Sequence, residues 1–263
     1  MDIDEQIDNA RQRDYFVVKA NHLIQKSRYE LSVTEQRTIA YICSMIKPVE
    51  PLAAAQNVPY QLDYEFNIRE YAKICGLYYE DGGKLYSDTK ALLKGLLTKV
   101  IYIELPDGTE GMLTWLAEVW TDKQNGKAKI NISPRMAPFL FDLKEKFTAY
   151  GLLNILAMKS QYSIRIYELM RSHAYQKLIT YETEKLKKMF MVENIKSYGN
   201  FKDFRRRILE PAITEINKYT DLQVSYEAIT KGRKVVKIQF YISKKPITER
   251  HIAWTIATGK IEK

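Results

Sequence analysis

The stretch Asn200–Ile242, NFKDFRRRILEPAITEINKYTDLQVSYEAITKGRKVVKIQFYI, decides the fold. Asn200 can cap a helix by accepting hydrogen bonds from its first free N–H groups. From Phe201 to about Tyr219, the residues Phe201, Phe204, Ile208, Ala212 and Ile216 recur at helical spacing and predict one buried stripe. Pro211 lies inside that helix and removes a backbone bond to Arg207, so it either bends the helix or ends its first half. Leu222–Ala228 and Lys234–Ile242 read as strands around the turn Lys231-Gly232. Upstream, Glu182–Met191 reads as a short amphipathic helix and Ser197–Asn200 as the turn between the two helices. Helix, turn, helix and β-hairpin is the order of a winged helix.

The first half repeats that order. Leu31 begins a helical stretch with Ser32 or Thr34 as its cap and Leu31, Ile39, Ile42 and Ile46 at near-helical spacing, until Pro48 stops it. Pro48–Pro59 reads as a loop. Tyr60–Phe66 alternates like a strand, Asn67 can cap a helix over Ile68–Cys75, and Gly76 can end it. Asp81-Gly82-Gly83 reads as a turn, and Lys84–Lys99 as a helix with Leu85, Leu92, Leu93, Leu96 and Leu97 inward. Val100–Leu105, Gly111–Thr121 and Lys127–Ile132 read as three strands joined at Asp107-Gly108 and Asn125-Gly126, dipeptides suited to hairpin turns. Ahead of all this, Asp2–Asp14 is polar and Tyr15–Val18 is a short β-prone run. Internal repetition of this kind sets the architecture. The expectation is an α+β chain of two tandem winged-helix domains, residues 1–140 and 145–263, divided near Pro134–Tyr150.

Charge separates the halves. The chain of 263 residues carries 41 Lys and Arg against 32 Asp and Glu, a formal charge of +9. Residues 1–150 hold 19 basic and 21 acidic side chains, whereas residues 151–263 hold 22 and 11. The whole positive excess therefore sits in the second half, as expected of a surface built for a polyanion. With 46% apolar residues and no apolar run approaching the ~18 of a membrane span, the chain reads as globular, with no membrane partner. Met1–Arg13 has no secretory pattern, and only Cys43 and Cys75 occur, without a CxxC, which points to a reducing, cytoplasmic setting.

The inventory for catalysis is thin. His22, His173 and His251 are isolated, so no metal-ligand spacing is present. Gly83-Lys84, Gly126-Lys127 and Gly259-Lys260 all lack the earlier glycine of a phosphate-cradling loop. Tyrosines such as Tyr102 and Tyr241 fall on predicted strands, where they read as packing. The expectation is a protein with no catalytic residue, no metal and no cofactor.

For DNA contact the residues are better placed. Lys202, Arg205, Arg206 and Arg207 open the second domain's long helix, where a helix-turn-helix reads bases in the major groove. An arginine fork can bond guanine O6 and N7 together, worth about 1–3 kcal/mol of discrimination. Asp203 and Glu210 dilute the field, and Asp203 also favours the helix dipole. Lys231, Arg233 and Lys234 surround Gly232 as a wing that can reach phosphates. Lys90 and Lys94, with Lys84, line the corresponding helix of the first domain and could touch phosphate. Lys159 stands at a helix entry where phosphate could meet an N-terminus, and Arg165 fits a structural or a phosphate role.

With these residues in view, the chain resembles the theta-type replication initiators of iteron-containing plasmids. The matching stretches are Val18–Asn21, Leu31–Arg37, Leu156–Leu169 (LAMKSQYSIRIYEL), Phe201–Leu209 with Pro211-Ala212, Glu215–Asn217, and Gly232–Lys234. Met158–Leu169 is the most specific of them. The resemblance implies initiation of plasmid or phage DNA replication by binding directly repeated sequences in double-stranded origin DNA. It further implies recruitment of host initiation factors and helicase, and a homodimer that represses its own promoter beside an active monomer. The alternative is a transcriptional repressor without origin function.

Overall fold

The computed structural model describes residues 15–46, 60–77, 82–141 and 146–257. The segment Asp2–Asp14, the loop Pro48–Pro59 and Asp81 lie outside them. Strand β1 (Phe16–Ala20) runs into helix α1 (Asn21–Lys26) and the two-residue strand β2 (Ser27–Arg28). Helix α2 (Val33–Met45) starts where Ser32 and Glu35 bond each other's backbone N–H, a reciprocal cap that selects Ser32 over Thr34. Strand β3 (Asp63–Asn67) leads into α3 (Ile68–Cys75). Asn67 caps α3 through the N–H groups of Arg69 and Glu70, and Gly76, at φ 67°, ends it in the left-handed conformation expected there.

Helix α4 (Gly82–Thr98) begins earlier than anticipated, so Gly82 and Gly83 form its first turn rather than a loop. Leu85, Leu93 and Leu96 are buried, with Leu92 and Leu97 partly so. Strands β4 (Val100–Glu104), β5 (Glu110–Thr114), β6 (Leu116–Asp122) and β7 (Lys127–Ile132) follow. The single strand expected over Gly111–Thr121 is thus two, divided at Trp115, and they belong to different antiparallel sheets, β2-β4-β5 and β3-β7-β6. The cause is the side chain of Trp115, which is buried edge-on to Tyr29 at 5.4 Å and draws the chain from one sheet to the other.

After the short helix α5 (Ala137–Leu140), strand β8 (Phe147–Gly151) returns to pair antiparallel with β1, with Phe16 opposite Gly151. The division expected near Pro134–Tyr150 is therefore crossed by a strand ladder. Helices α6 (Leu153–Leu156) and α7 (Gln161–Ser172) come next, and every residue of α7 from Ser163 to Met170 is buried. A helix buried on all faces is an internal strut. It packs on α1, α2 and β8 on one side and on the long second-domain helix on the other.

The second domain then unfolds as anticipated, with additions. Strand β9 (Leu178–Glu182), not foreseen, precedes α8 (Thr183–Met189) and joins the hairpin β10 (Leu222–Lys231) and β11 (Lys234–Lys244) in a sheet ordered β10-β11-β9. A last helix, α10 (Ile247–Ala257), also unforeseen, covers α6. Between α8 and the hairpin lies α9 (201–219), and Pro211 resolves its conflict through it. An α-helical turn Phe201–Phe204 passes into a π-helical turn Arg205–Leu209 and back to α-helix over Glu210–Tyr219. The N–H of Glu210 bonds Arg205 O, five residues back, and Pro211 then sits in the first turn of the resumed α-helix. Successive i+4 steps drift about 40° per step on a regular helix, and the wider turn cancels part of that drift. Phe204, Ile208, Ala212 and Ile216 consequently all stay buried, joined by Leu209.

Candidate nucleic-acid interface

Asn200 accepts a hydrogen bond from Lys202 N–H at 2.9 Å and so fixes where α9 begins. Phe204 and Ile208 anchor the first turns in the core, leaving Lys202, Arg205, Arg206 and Arg207 exposed. The three arginines occupy the π-helical turn itself, a deviation from α-helix that is frequent at functional sites. Each has a carboxylate within reach: Arg206 bonds Asp203 at 2.8 Å, Arg207 lies 3.9 Å from Asp203, and Arg205 lies 3.2 Å from Glu210. Such exposed pairs are worth about 0–1 kcal/mol, so phosphates or base edges can replace them at little cost.

The wing approaches the same turn. Gly232, at φ 62°, makes the tight reversal that sets Lys231 opposite Lys234, and a β-bulge at Ile229/Thr230 adds local twist. Lys202 and Arg205 from α9 and Arg233 and Lys234 from the wing line one groove with Thr183, Glu184 and Lys187 of α8, where Glu184 is paired to Lys187 at 3.1 Å. Among the described residues no acidic side chain pairs with Lys202, Lys231, Arg233 or Lys234. The structure thus gathers residues from 202 to 234 on one cationic surface.

Other anticipated contacts are dispersed. Lys90 and Lys94 are exposed one helical turn apart on α4. Lys159 is exposed ahead of α7, but the backbone N–H groups of Lys159 and Ser160 already bond the carboxylate of Glu215 at 3.1–3.3 Å. Glu215 therefore occupies the place at the α7 N-terminus where a phosphate was considered. Of the two roles open to Arg165, the structural one fits and the phosphate one does not. It is 5% exposed, donates to Tyr29 Oη at 2.7 Å and to Ser27 O at 3.1 Å, and stacks on the Tyr29 ring at 4.1 Å. No phosphate can reach it, and its role is structural.

Around Arg165 lies a buried charge cluster that sequence reading missed. Lys19 of β1 bonds Glu168 of α7 at 2.6 Å, Tyr150 of β8 donates to the same carboxylate, and Arg165 stands 3.8 Å from it. Burial by itself would raise the Glu168 carboxyl, but the charges of Lys19 and Arg165 and the bonds from Lys19 and Tyr150 hold it below the ordinary carboxylate range. A lysine in the apolar run Val17–Ala20 and a glutamate three residues after Arg165 were the available signal. Asn217 and Lys245 were also missed as architecture. Asn217 pairs through its side-chain amide with both backbone groups of Val224, at 2.7 and 2.8 Å, and ties α9 to the hairpin. Lys245 is buried and donates to the carbonyls of Asn217 and Thr220, so it caps the C-terminus of α9.

Both cysteines sit in the core, whereas His251 is exposed and His22, Tyr102 and Tyr241 are partly buried. Cys43 and Cys75 are buried and unpaired with each other, and burial pushes the Cys43 thiol up to about 11. Among the described residues no group of three His, Cys, Asp or Glu side chains could hold a metal ion, and no helix is long and apolar enough to cross a membrane.

A replication initiation protein of Escherichia coli is 26% identical over 233 residues, covering 86% of this chain and 69% of that one. The PI protein of Escherichia coli is 26% identical over 196 residues, covering 61% of this chain and 60% of that one. A crystal structure of Pi initiator protein in complex with iteron DNA superposes with a TM-score of 0.65 at 20% identity, covering 89% of this chain and 99% of that one. Family models described as "Initiator Replication protein, WH1" and "Initiator Rep protein, WH2" match residues 16–171 and 182–242. The chain belongs to the initiator replication protein family and carries both of its winged-helix domains, WH1 and WH2.

Proposed function

We propose that this chain initiates replication by binding repeated duplex sequences at an origin, with the first turns of α9 in the major groove and the wing on the flanking phosphates. The observation that carries the reading is the convergence of Lys202, Arg205, Arg233 and Lys234 on one groove, with Arg206 and Arg207 displayed beside it by the π-helical turn. Arg205, Arg206 and Arg207 read bases; Lys202, Lys231, Arg233 and Lys234 hold phosphate. Lys90, Lys94 and Lys159 add weaker phosphate contacts. The iteron DNA in the Pi initiator complex supports repeated sequences as the target.

Two winged helices on one chain can enter successive major grooves, so an intact monomer is expected to protect about two helical turns, near 20 base pairs. Hydroxyl-radical footprinting on one repeat tests this. Protection of a single turn would leave only one domain on the DNA. Host initiation factors and helicase are the further partners, and a dimer repressing its own promoter accompanies an active monomer. A repressor without origin function is distinguished by whether the gene with its flanking repeats maintains a replicon lacking any other origin.

The proposed mechanism is non-catalytic. Supercoiled and single-stranded DNA incubated with the protein and Mg²⁺, Mn²⁺ or ATP are expected to remain uncut. A covalent tyrosine–DNA adduct that survives denaturation would contradict this.

A further inference from the structure

A second cationic cleft lies at the opposite end of β11 from the wing. Lys146 and Phe147 at the entry to β8, Arg171 and Ser172 at the end of α7, Tyr175 just beyond it, and Lys244 at the end of β11 line an open cleft of about 610 Å³. That volume falls within the usual ~300–1,000 Å³ of small-molecule sites. Ten residues of strand separate Lys234 from Lys244, about 33 Å, so this cleft is distinct from the duplex-facing groove.

Its chemistry is specific. Three cations line it, and among the described residues no acidic side chain does. Two aromatic rings stand open in it, Phe147 at 52% and Tyr175 at 61% exposure. Gln176 donates to Tyr175 Oη at 2.8 Å, and the Lys146 ammonium lies 5.6 Å from the Tyr175 ring centre. Arg171 is anchored by Ala149 O at 3.2 Å and by Asp221 at 3.3 Å. A bare phosphate would leave the rings unused, and an apolar ligand would leave the ammonium groups unused. A planar base joined to a phosphate uses both.

We propose that this cleft binds a nucleotide unit, its base stacked on Tyr175 or Phe147 and its phosphate held by Lys146 and Lys244. A paired duplex keeps its base faces covered and does not satisfy the site. The unit comes from a free nucleotide or from an unpaired strand.

The test titrates the full chain with thymidine 5′-monophosphate, ATP and octathymidylate, each followed by calorimetry, and with the repeat duplex followed by anisotropy. Saturable binding of a nucleotide or of the oligomer is expected, weakened about tenfold or more by Tyr175→Ala, restored by Tyr175→Phe, and weakened by Lys244→Glu. Binding of the repeat duplex is expected to change less than about threefold in all three variants, which separates this site from the α9 groove. Comparable affinity for monomer and oligomer assigns the site to free nucleotides, and binding of the oligomer alone assigns it to an unpaired strand. Absence of saturable binding, indifference to both Tyr175→Ala and Lys244→Glu, or equal displacement by tetra-aspartate would overturn the proposal.

Discussion

In the second domain α9 opens with four exposed cations in two turns, and the wing brings three more to the same surface. In the first domain the matching helix, α4, spaces Lys84, Lys90 and Lys94 along its exposed side with Asp88 among them. The sheet beside it spends its cations internally: Lys127 bonds Glu65 at 2.6 Å and Lys129 lies 3.9 Å from Asp63. A shared order of elements therefore carries two different electrostatic surfaces. One is arginine-rich and built around a widened helical turn; the other carries lysines along α4 with the exposed Arg69 of α3 beside its first turn, in a half that is close to neutral overall. Arginine forks discriminate bases, whereas lysine is a flexible point charge suited to phosphate. Under the proposed function this contrast gives reading to the second domain and positioning to the first, while α7 and its buried charges contact both.

The largest expected effect lies in that connection. Removing the charge in Glu168→Gln leaves Lys19 and Arg165 buried without a counter-charge, a loss of about 3–5 kcal/mol in chemical denaturation. Because α7 packs on both domains, the two are expected to lose stability together in one transition. A loss under about 1 kcal/mol, or destabilisation confined to one domain, would make the cluster incidental. The same carboxylate gives a pH dependence. Its folded-state value lies below the unfolded one, so its contribution is complete above the ordinary carboxylate range and is lost as pH falls through the folded value. Acid unfolding of the native chain should contain this component, and Glu168→Gln should lack it.

Arg206→Ala comes next, with an expected cost of about 1–3 kcal/mol on the cognate repeat and little on random duplex, measured by anisotropy. Lys234→Ala should weaken both duplexes similarly and flatten the salt dependence by about one unit. Equal losses on both duplexes for both variants would erase the distinction between reading and anchoring. The smallest effect is expected in the first domain. Lys90→Ala with Lys94→Ala should flatten the salt slope by no more than about two units and leave discrimination between repeat and random duplex intact. A loss of discrimination there would make α4 a second reader.

Much of this was legible in the residues. Asn67 and Gly76 bounded α3, Asn200 started α9, and the Gly232 turn placed the wing, because caps and reversals are local chemistry that needs no tertiary context. The split at Trp115, the strand β8 and the closing helix α10 were not legible, since each is fixed by a distant partner: the Tyr29 ring, β1 and α6. For the interface, the cations of α9 and the wing stood out by position on a recognisable helix-turn-helix. Arg165 was ambiguous because an arginine at a helix entry looks the same whether its guanidinium meets phosphate or Tyr29. Glu168, which decides between those readings, is silent until Lys19 is brought beside it by the β1–β8 ladder.

The central claim is that α9 reads and α4 does not. Its most direct test compares two full-length variants on the repeat duplex and on a shuffled one: Lys202, Arg205, Arg206 and Arg207 all replaced by Ala, and Lys84, Lys90 and Lys94 all replaced by Ala. The first should lower the ratio of specific to random affinity by about a hundredfold or more, and the second should leave it within about threefold. Equal reduction of the ratio by both sets, or a larger reduction by the second, would contradict the account.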